Sequence, residues 1–132
     1  MKTLIVDDDI TNRMILQDSL ESYGETNVAV NGEEAIRAAL IAIESGVPYD
    51  LICLDIMMPG TDGHAALLAI RSLEKRYSRM INGNRSKILM TTAMSDRKHI
   101  LSAINEQCDN YFMKPIDVPK LIHYLQQEKM IV

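Results

Sequence analysis

At 132 residues with 47% hydrophobic side chains, the chain is long enough for one domain with a real core and too short for two of ordinary size. A formal net charge of -4, with 24% charged residues, excludes a general binder of nucleic acid or anionic membrane, which needs a basic excess. The apolar run before Asp7-Asp8-Asp9 is far too short for a signal-peptide core or a membrane span, so the expected location is the cytoplasm, with no membrane insertion.

Leu4-Ile5-Val6 reads as a first short strand that ends in three aspartates. Thr11 to Tyr23 follows, with Met14, Ile15, Leu16, Leu20 and Tyr23 apolar, and predicts a helix ending at Gly24. A strand is expected at Asn27 to Val30, broken by Asn31-Gly32. Ala35, Ile36, Ala39, Leu40 and Ile43 then have the spacing of an amphipathic helix, stopped by Gly46 and Pro48. Leu51 to Leu54 is a buried strand with Asp55 at its end, closed off by Pro59, Gly60 and Gly63. Ala66, Ile70, Leu73 and Tyr77 mark a helix from about His64 to Tyr77, and Ile88-Leu89-Met90 a strand leading into Thr91-Thr92-Ala93. A helix over Arg97 to Gln107, a strand at Tyr111 to Met113 ended by Lys114-Pro115, and a last helix from about Val118 to Gln127 complete the chain.

Strand and helix alternate five times, and the strands are apolar enough to be covered on both faces. This predicts a doubly wound, flavodoxin-like α/β fold with a five-stranded parallel sheet in the order 2-1-3-4-5. In such a sheet the ends of strands one and three meet, and Asp7, Asp8 and Asp55 share one pocket. Each like-charged pair costs on the order of 4 kcal/mol at ~4 Å with an effective dielectric near 20. A divalent hard cation answers that cost, and a few carboxylates plus carbonyl and water suit Mg²⁺. Lys114 can reach the same rim, and Thr91 or Thr92 can offer a hydroxyl. Together these form a phosphoryl-transfer set, against the plainer alternative of a solvated acidic rim.

Four separated motifs carry a resemblance: Leu4-Ile-Val-Asp7-Asp8-Asp9, Asp55-Ile-Met-Met-Pro59-Gly-Thr-Asp62-Gly63, Met90-Thr-Thr92-Ala93 and Tyr111-Phe-Met-Lys114-Pro115. In this order and spacing they resemble the response regulator receiver domain of bacterial two-component signalling. The resemblance implies that Asp55 accepts a phosphoryl group from a phosphohistidine on a sensor histidine kinase or histidine phosphotransfer protein. It implies that Asp7, Asp8, Asp55 and the main-chain carbonyl of Met57 hold Mg²⁺, that Thr92 and Lys114 meet phosphoryl oxygens, and that the Lys114-Pro115 bond is cis. Tyr111 resembles the switch aromatic, which would fill space vacated by Thr92 and alter the face made by the Arg97–Gln107 helix, the fifth strand and the last helix. Output would pass to an unknown downstream protein or along a phosphorelay, from a monomer or a phosphorylation-dependent dimer. A stand-alone regulator is expected, with one domain of a longer protein left open.

Some features depart from the pattern. Gln107-Cys108 stands where Gly-Ala is common, which puts the turn before Asp109-Asn110 in doubt. The segment Arg71 to Lys87 is long and carries Arg71, Lys75, Arg76, Arg79, Arg85 and Lys87 against Glu74 alone. It reads as a solvated helix end and loop, or as a docking patch for an acidic partner. Met57 and Met94 each follow an active position by two residues, and two apolar side chains there imply restricted water access and slow loss of phosphate. Cys53 and Cys108 read as buried free thiols, and His64, His99 and His123 have no ligand spacing. Two rival readings remain. Asp7-Asp8-Asp9-Ile10-Thr11 fits D-x-D-x-T, the motif of haloacid dehalogenase-like phosphatases, with Asp7 as nucleophile and Asp9 as acid and base. The other is a receiver-like interaction module that is not phosphorylated.

Overall fold

The computed structural model describes residues 1–93 and 107–132. Five strands form one parallel sheet: β1 (Thr3–Val6), β2 (Thr26–Ala29), β3 (Leu51–Asp55), β4 (Lys87–Thr92) and β5 (Asn110–Met113), in the order β2-β1-β3-β4-β5. The helices of the described residues are α1 (Ile10–Leu20), α2 (Gly32–Glu44), α3 (Gly63–Arg76) and α4 (Val118–Gln127), with a 3-10 turn at Glu21–Tyr23. None is long and apolar enough to cross a membrane. The helix expected over Arg97 to Gln107, with His99, and the water-access position Met94 lie outside the described residues, except that Gln107 takes a left-handed turn at φ 76°.

Alternation along each strand divides the core in two. Leu4 and Val6, Ile52 and Leu54, and Ile88 and Met90 face one layer with α2 and α3 residues such as Ala39 and Ile70. Ile5, Leu51, Cys53, Leu89 and Phe112 face the other, against Leu16 and Leu20 of α1 and Leu121 and Leu125 of α4. The helices begin where sequence chemistry says they should. Asp9, Asn31, Asp62 and Asp117 are N-caps whose side chains accept main-chain N–H groups of Thr11, Glu34, Ala65 and Lys120.

Of the apolar residues in α1, Leu16 and Leu20 are buried while Met14 and Ile15 are 54% and 41% exposed, because a single helix face meets the sheet. Two expectations need correction. Arg71 is no part of a solvated run: it is 7% exposed, with its guanidinium at the amino end of β4. Nη1 donates to Glu74 Oε1 at 2.7 Å and to the Ser86 carbonyl at 2.9 Å, Nη2 donates to Asp109 Oδ2 at 2.9 Å, and Nε donates to the Gln107 carbonyl at 3.1 Å. Glu74 Oε2 accepts the Ser86 N–H, and Asp109 Oδ2 accepts the Ile88 N–H. Arg71 therefore ties α3 to the start of β4 and fixes the unusual turn before β5. Cys53 is buried, its thiol pushed up to about 12 by burial, whereas Cys108 is only half-buried.

Arg71→Met leaves Glu74, which is 4% exposed, with only the exposed Arg85 guanidinium 4.0 Å away. The expected loss is about 3–5 kcal/mol in urea unfolding; a loss below about 1 kcal/mol would show that the cluster does not hold α3 to β4.

Candidate functional site

Register builds the site. Val6 lies opposite Leu54, so Asp7, the next residue along β1, follows Ile5 on the same sheet face as Asp55 follows Cys53. Asp55 is in register with Thr91, and the Ile56 N–H donates to the Thr91 carbonyl at 3.0 Å. The chain then turns through Pro59 and Gly60, where φ is 78°, into α3. Gly63 packs directly on the main chain of Asp55 and Ile56, where a Cβ would collide, and its N–H donates to the Ile56 carbonyl at 2.9 Å. Asp62-Gly63 thus caps a helix and seats it against the carboxylate-bearing turn.

Lys114 enters from the end of β5. Its N–H donates to the Thr92 carbonyl at 2.7 Å, and the Lys114-Pro115 bond is cis. Its Nζ stands 3.0 Å from Asp7 Oδ2 and 3.2 Å from Asp55 Oδ2. Asp7 is 1% exposed and Asp55 3%, while Asp8 is exposed at the mouth. Burial first, and the Asp7 charge second, push the Asp55 carboxyl up from 3.8 to about 6, against the pull of Lys114 and of the Met57 N–H 3.3 Å from Oδ1. Burial works to lower the Lys114 ammonium, but Asp7 and Asp55 outweigh it and raise it.

One oxygen from each of Asp7, Asp8 and Asp55 lies within 4.8 Å of the others. Three carboxylates against the one ammonium that bridges two of them leave the cluster short of two positive charges. Asp7 Oδ2 is buried and, among the described residues, meets only the Lys114 ammonium, so it keeps a lone pair for a further cation. An all-oxygen donor set with one exposed member that keeps water access fits a hard divalent ion of the Mg²⁺ class.

The remaining candidates fall around this cluster. Thr92 is 1% exposed and its hydroxyl donates to the Ala93 carbonyl at 3.2 Å. Thr91 belongs to the other row and lines the apolar layer with Leu16, Cys53 and Phe112. Tyr111 is paired with Met90, which puts it on the same sheet face as Thr92, and it is 36% exposed while Phe112 beside it is buried edge-on against Tyr124. Met57 is 54% exposed. Asp9, the acid and base of the phosphatase reading, is engaged as the cap of α1, where Oδ1 accepts the Thr11 N–H at 2.9 Å. The sequence reading did not single out Arg13, whose Nη1 donates to the Asp7 carbonyl at 2.7 Å, one turn into α1. Its position six residues after Asp7 was a visible but weak signal.

The family profile described as response regulator receiver domain matches residues 3–126. Among curated proteins, the chain is 34% identical over 122 residues to the transcriptional regulatory protein ResD of Bacillus subtilis, covering 92% of this chain and 45% of that protein. It is 36% identical over 116 residues to hybrid signal transduction histidine kinase L of Dictyostelium discoideum, covering 87% of this chain and 6% of that protein. The chain therefore spans less than half the length of either relative. Among solved structures, the receiver domain of a sensor histidine kinase from Pseudomonas aeruginosa, with a magnesium ion coordinated in its active-site cleft, superposes with a TM-score of 0.77 at 26% identity, covering 96% of this chain and 94% of that one.

The raised Asp55 carboxyl makes its ionised form a cost to the fold: stability falls as pH rises from 3.8 to about 6 and stays lowered above that. Asp55→Asn removes the charge. In chelator-treated protein it is expected to stabilise by up to about 3 kcal/mol at neutral pH, with no gain below the acid end of that window. A variant no more stable than wild type at neutral pH would contradict the strained-carboxylate picture.

Proposed function

Because this chain belongs to the response regulator receiver domain family, matched over residues 3–126, we propose that it is a phosphoacceptor of two-component signalling, acting in the cytoplasm, with Asp55 as the residue that takes the phosphoryl group. The observation that carries this reading is the Lys114 ammonium held 3.0 and 3.2 Å from Asp7 and Asp55 in a buried acidic pocket. The donor would be a phosphohistidine on a sensor histidine kinase or histidine phosphotransfer protein. An Asp55 oxygen bonds to phosphorus as the N–P bond breaks, giving an acyl phosphate, and the imidazole leaves with the bond's electron pair.

Each neighbour has a role that follows from its place. Lys114 neutralises charge on the incoming phosphoryl oxygens, and the Thr92 hydroxyl, by turning away from Ala93, donates to another. Asp7, Asp8, Asp55 and the Met57 carbonyl would hold Mg²⁺, which when bound supplies charge neutralisation for the attacking carboxylate and the phosphoryl oxygens. As Thr92 moves, Tyr111 on the same face turns from its 36% exposed position toward the space left, and this changes the surface offered to a downstream protein. The domain assists only its own phosphorylation and dephosphorylation.

Acetyl phosphate with Mg²⁺ is expected to label wild type at Asp55 and to leave Asp55→Asn unlabelled, as read by mass spectrometry of the digested protein. A label on Asp7 instead would establish the phosphatase reading, and no label on either residue would favour the unphosphorylated module. Lys114→Ala should slow labelling roughly 100-fold. Met57→Asn, which replaces an exposed apolar side chain beside Asp55 by one that can orient water, should shorten the lifetime of the phosphorylated form; an unchanged lifetime would remove Met57 from control of water access.

A further inference from the structure

The basic segment 71–87 divides into cations the fold consumes and cations it does not. Arg71 is taken up by Glu74 and Asp109, and Lys87 pairs with Glu128 at 2.9 Å. Lys75, Arg76, Arg79 and Arg85 are exposed. Among the described residues the first three form no ion pair, and Arg85 comes only within 4.0 Å of a Glu74 already held by Arg71. Lys75 and Arg76 sit in the last turn of α3, where their charge complements the helix dipole. Arg79 and Arg85 lie beyond the helix and have no such role.

The frame beneath these cations is fixed. The N–H groups of Met80, Asn82, Gly83 and Asn84 donate to the carbonyls of Tyr77, Arg79, Ser78 and Ile81. Ile81 is 3% exposed and anchors the loop, and Ser86 is held by Glu74 on one side and by the Tyr49 carbonyl on the other. A cleft of about 470 Å³ opens between α3 and this loop, its lining including Leu68, Ser72, Lys75, Ser78, Gly83 and Arg85. Leu68 is 50% exposed at its edge, and Met80 is 46% exposed on the loop.

We propose that this surface docks an acidic, partly apolar peptide segment of a partner protein. Carboxylates of that segment meet Lys75, Arg76, Arg79 and Arg85, and an aliphatic side chain enters the cleft against Leu68. Charge complementarity selects this occupant: the chain as a whole carries -4, so a long polyanion such as nucleic acid would run off the patch onto surface that repels it, whereas a short acidic segment ends within it. The patch adjoins the Lys87 end of β4, while Asp55 is in register with Thr91 near the other end. Docking and phosphoryl transfer can therefore proceed together.

The test is titration of the full chain with a fluorescent peptide of alternating glutamate and leucine, with amide shifts mapped by NMR. Binding is expected to shift amides concentrated in 68–87, to weaken about tenfold or more in Arg76→Glu/Arg79→Glu/Arg85→Glu, to weaken also in Leu68→Ser, and to fall with added salt. Labelling of Asp55 by acetyl phosphate should be unchanged in the triple variant, which shows that the variant is folded and that the patch is separate from the phosphoryl site. Equal affinity of wild type and triple variant, shifts centred elsewhere, equal binding of a lysine-leucine peptide, or tighter binding of single-stranded RNA would each overturn the proposal.

Discussion

One ammonium between two buried carboxylates governs the carboxyl end of this sheet. Lys114 makes it possible for Asp7 and Asp55 to stand side by side out of water, and it does so incompletely, since Asp55 is still pushed up to about 6 by burial and by Asp7. The parallel sheet and its order are what bring these groups together. β1 beside β3 aligns the two aspartates, and β5 beside β4 delivers the lysine, whose own N–H is bonded to the Thr92 carbonyl. Strain of this kind is relieved by added positive charge, and the proposed acyl phosphate, which carries more negative charge than the carboxylate it replaces, raises that demand further.

The molecule contains a second cluster of acids around a cation, and the contrast between the two is instructive. Around Arg71, both oxygens of Glu74 are engaged and the guanidinium reaches two carboxylates and two carbonyls. Around Lys114, one ammonium is divided between Asp7 Oδ2 and Asp55 Oδ2, and Asp8 is exposed. Buried polar networks that are fully satisfied rigidify a fold, whereas a network left short of partners is a place where a ligand can bind. Position agrees: the satisfied cluster lies at the amino end of β4, and the deficient one lies at the carboxyl ends where parallel sheets bind ligands.

Much of this was legible in the chain. Apolar runs of strand length ending in acid, helical periods between them and Gly or Pro at the breaks depend on local chemistry, so the five strands, their parallel order and the meeting of Asp7, Asp8, Asp55 and Lys114 could be stated from residues alone.

What the residues could not state is which charges would be buried and how each would be satisfied, because partners come from distant parts of the chain. Arg71 looks like its basic neighbours in sequence, yet its partner Asp109 is supplied by the turn before β5 and its carbonyl Ser86 by the start of β4. Only the folded arrangement separates it from Arg76 and Arg79, which face solvent. In the same way Thr91 and Thr92 are equivalent as text, and the pleat alone decides that one joins an apolar layer while the other lies on the sheet face that Tyr111 shares. Sequence determined the kinds of groups and the strand ends that carry them; tertiary structure determined their pairing and exposure, since dielectric and distance are properties of the assembled fold.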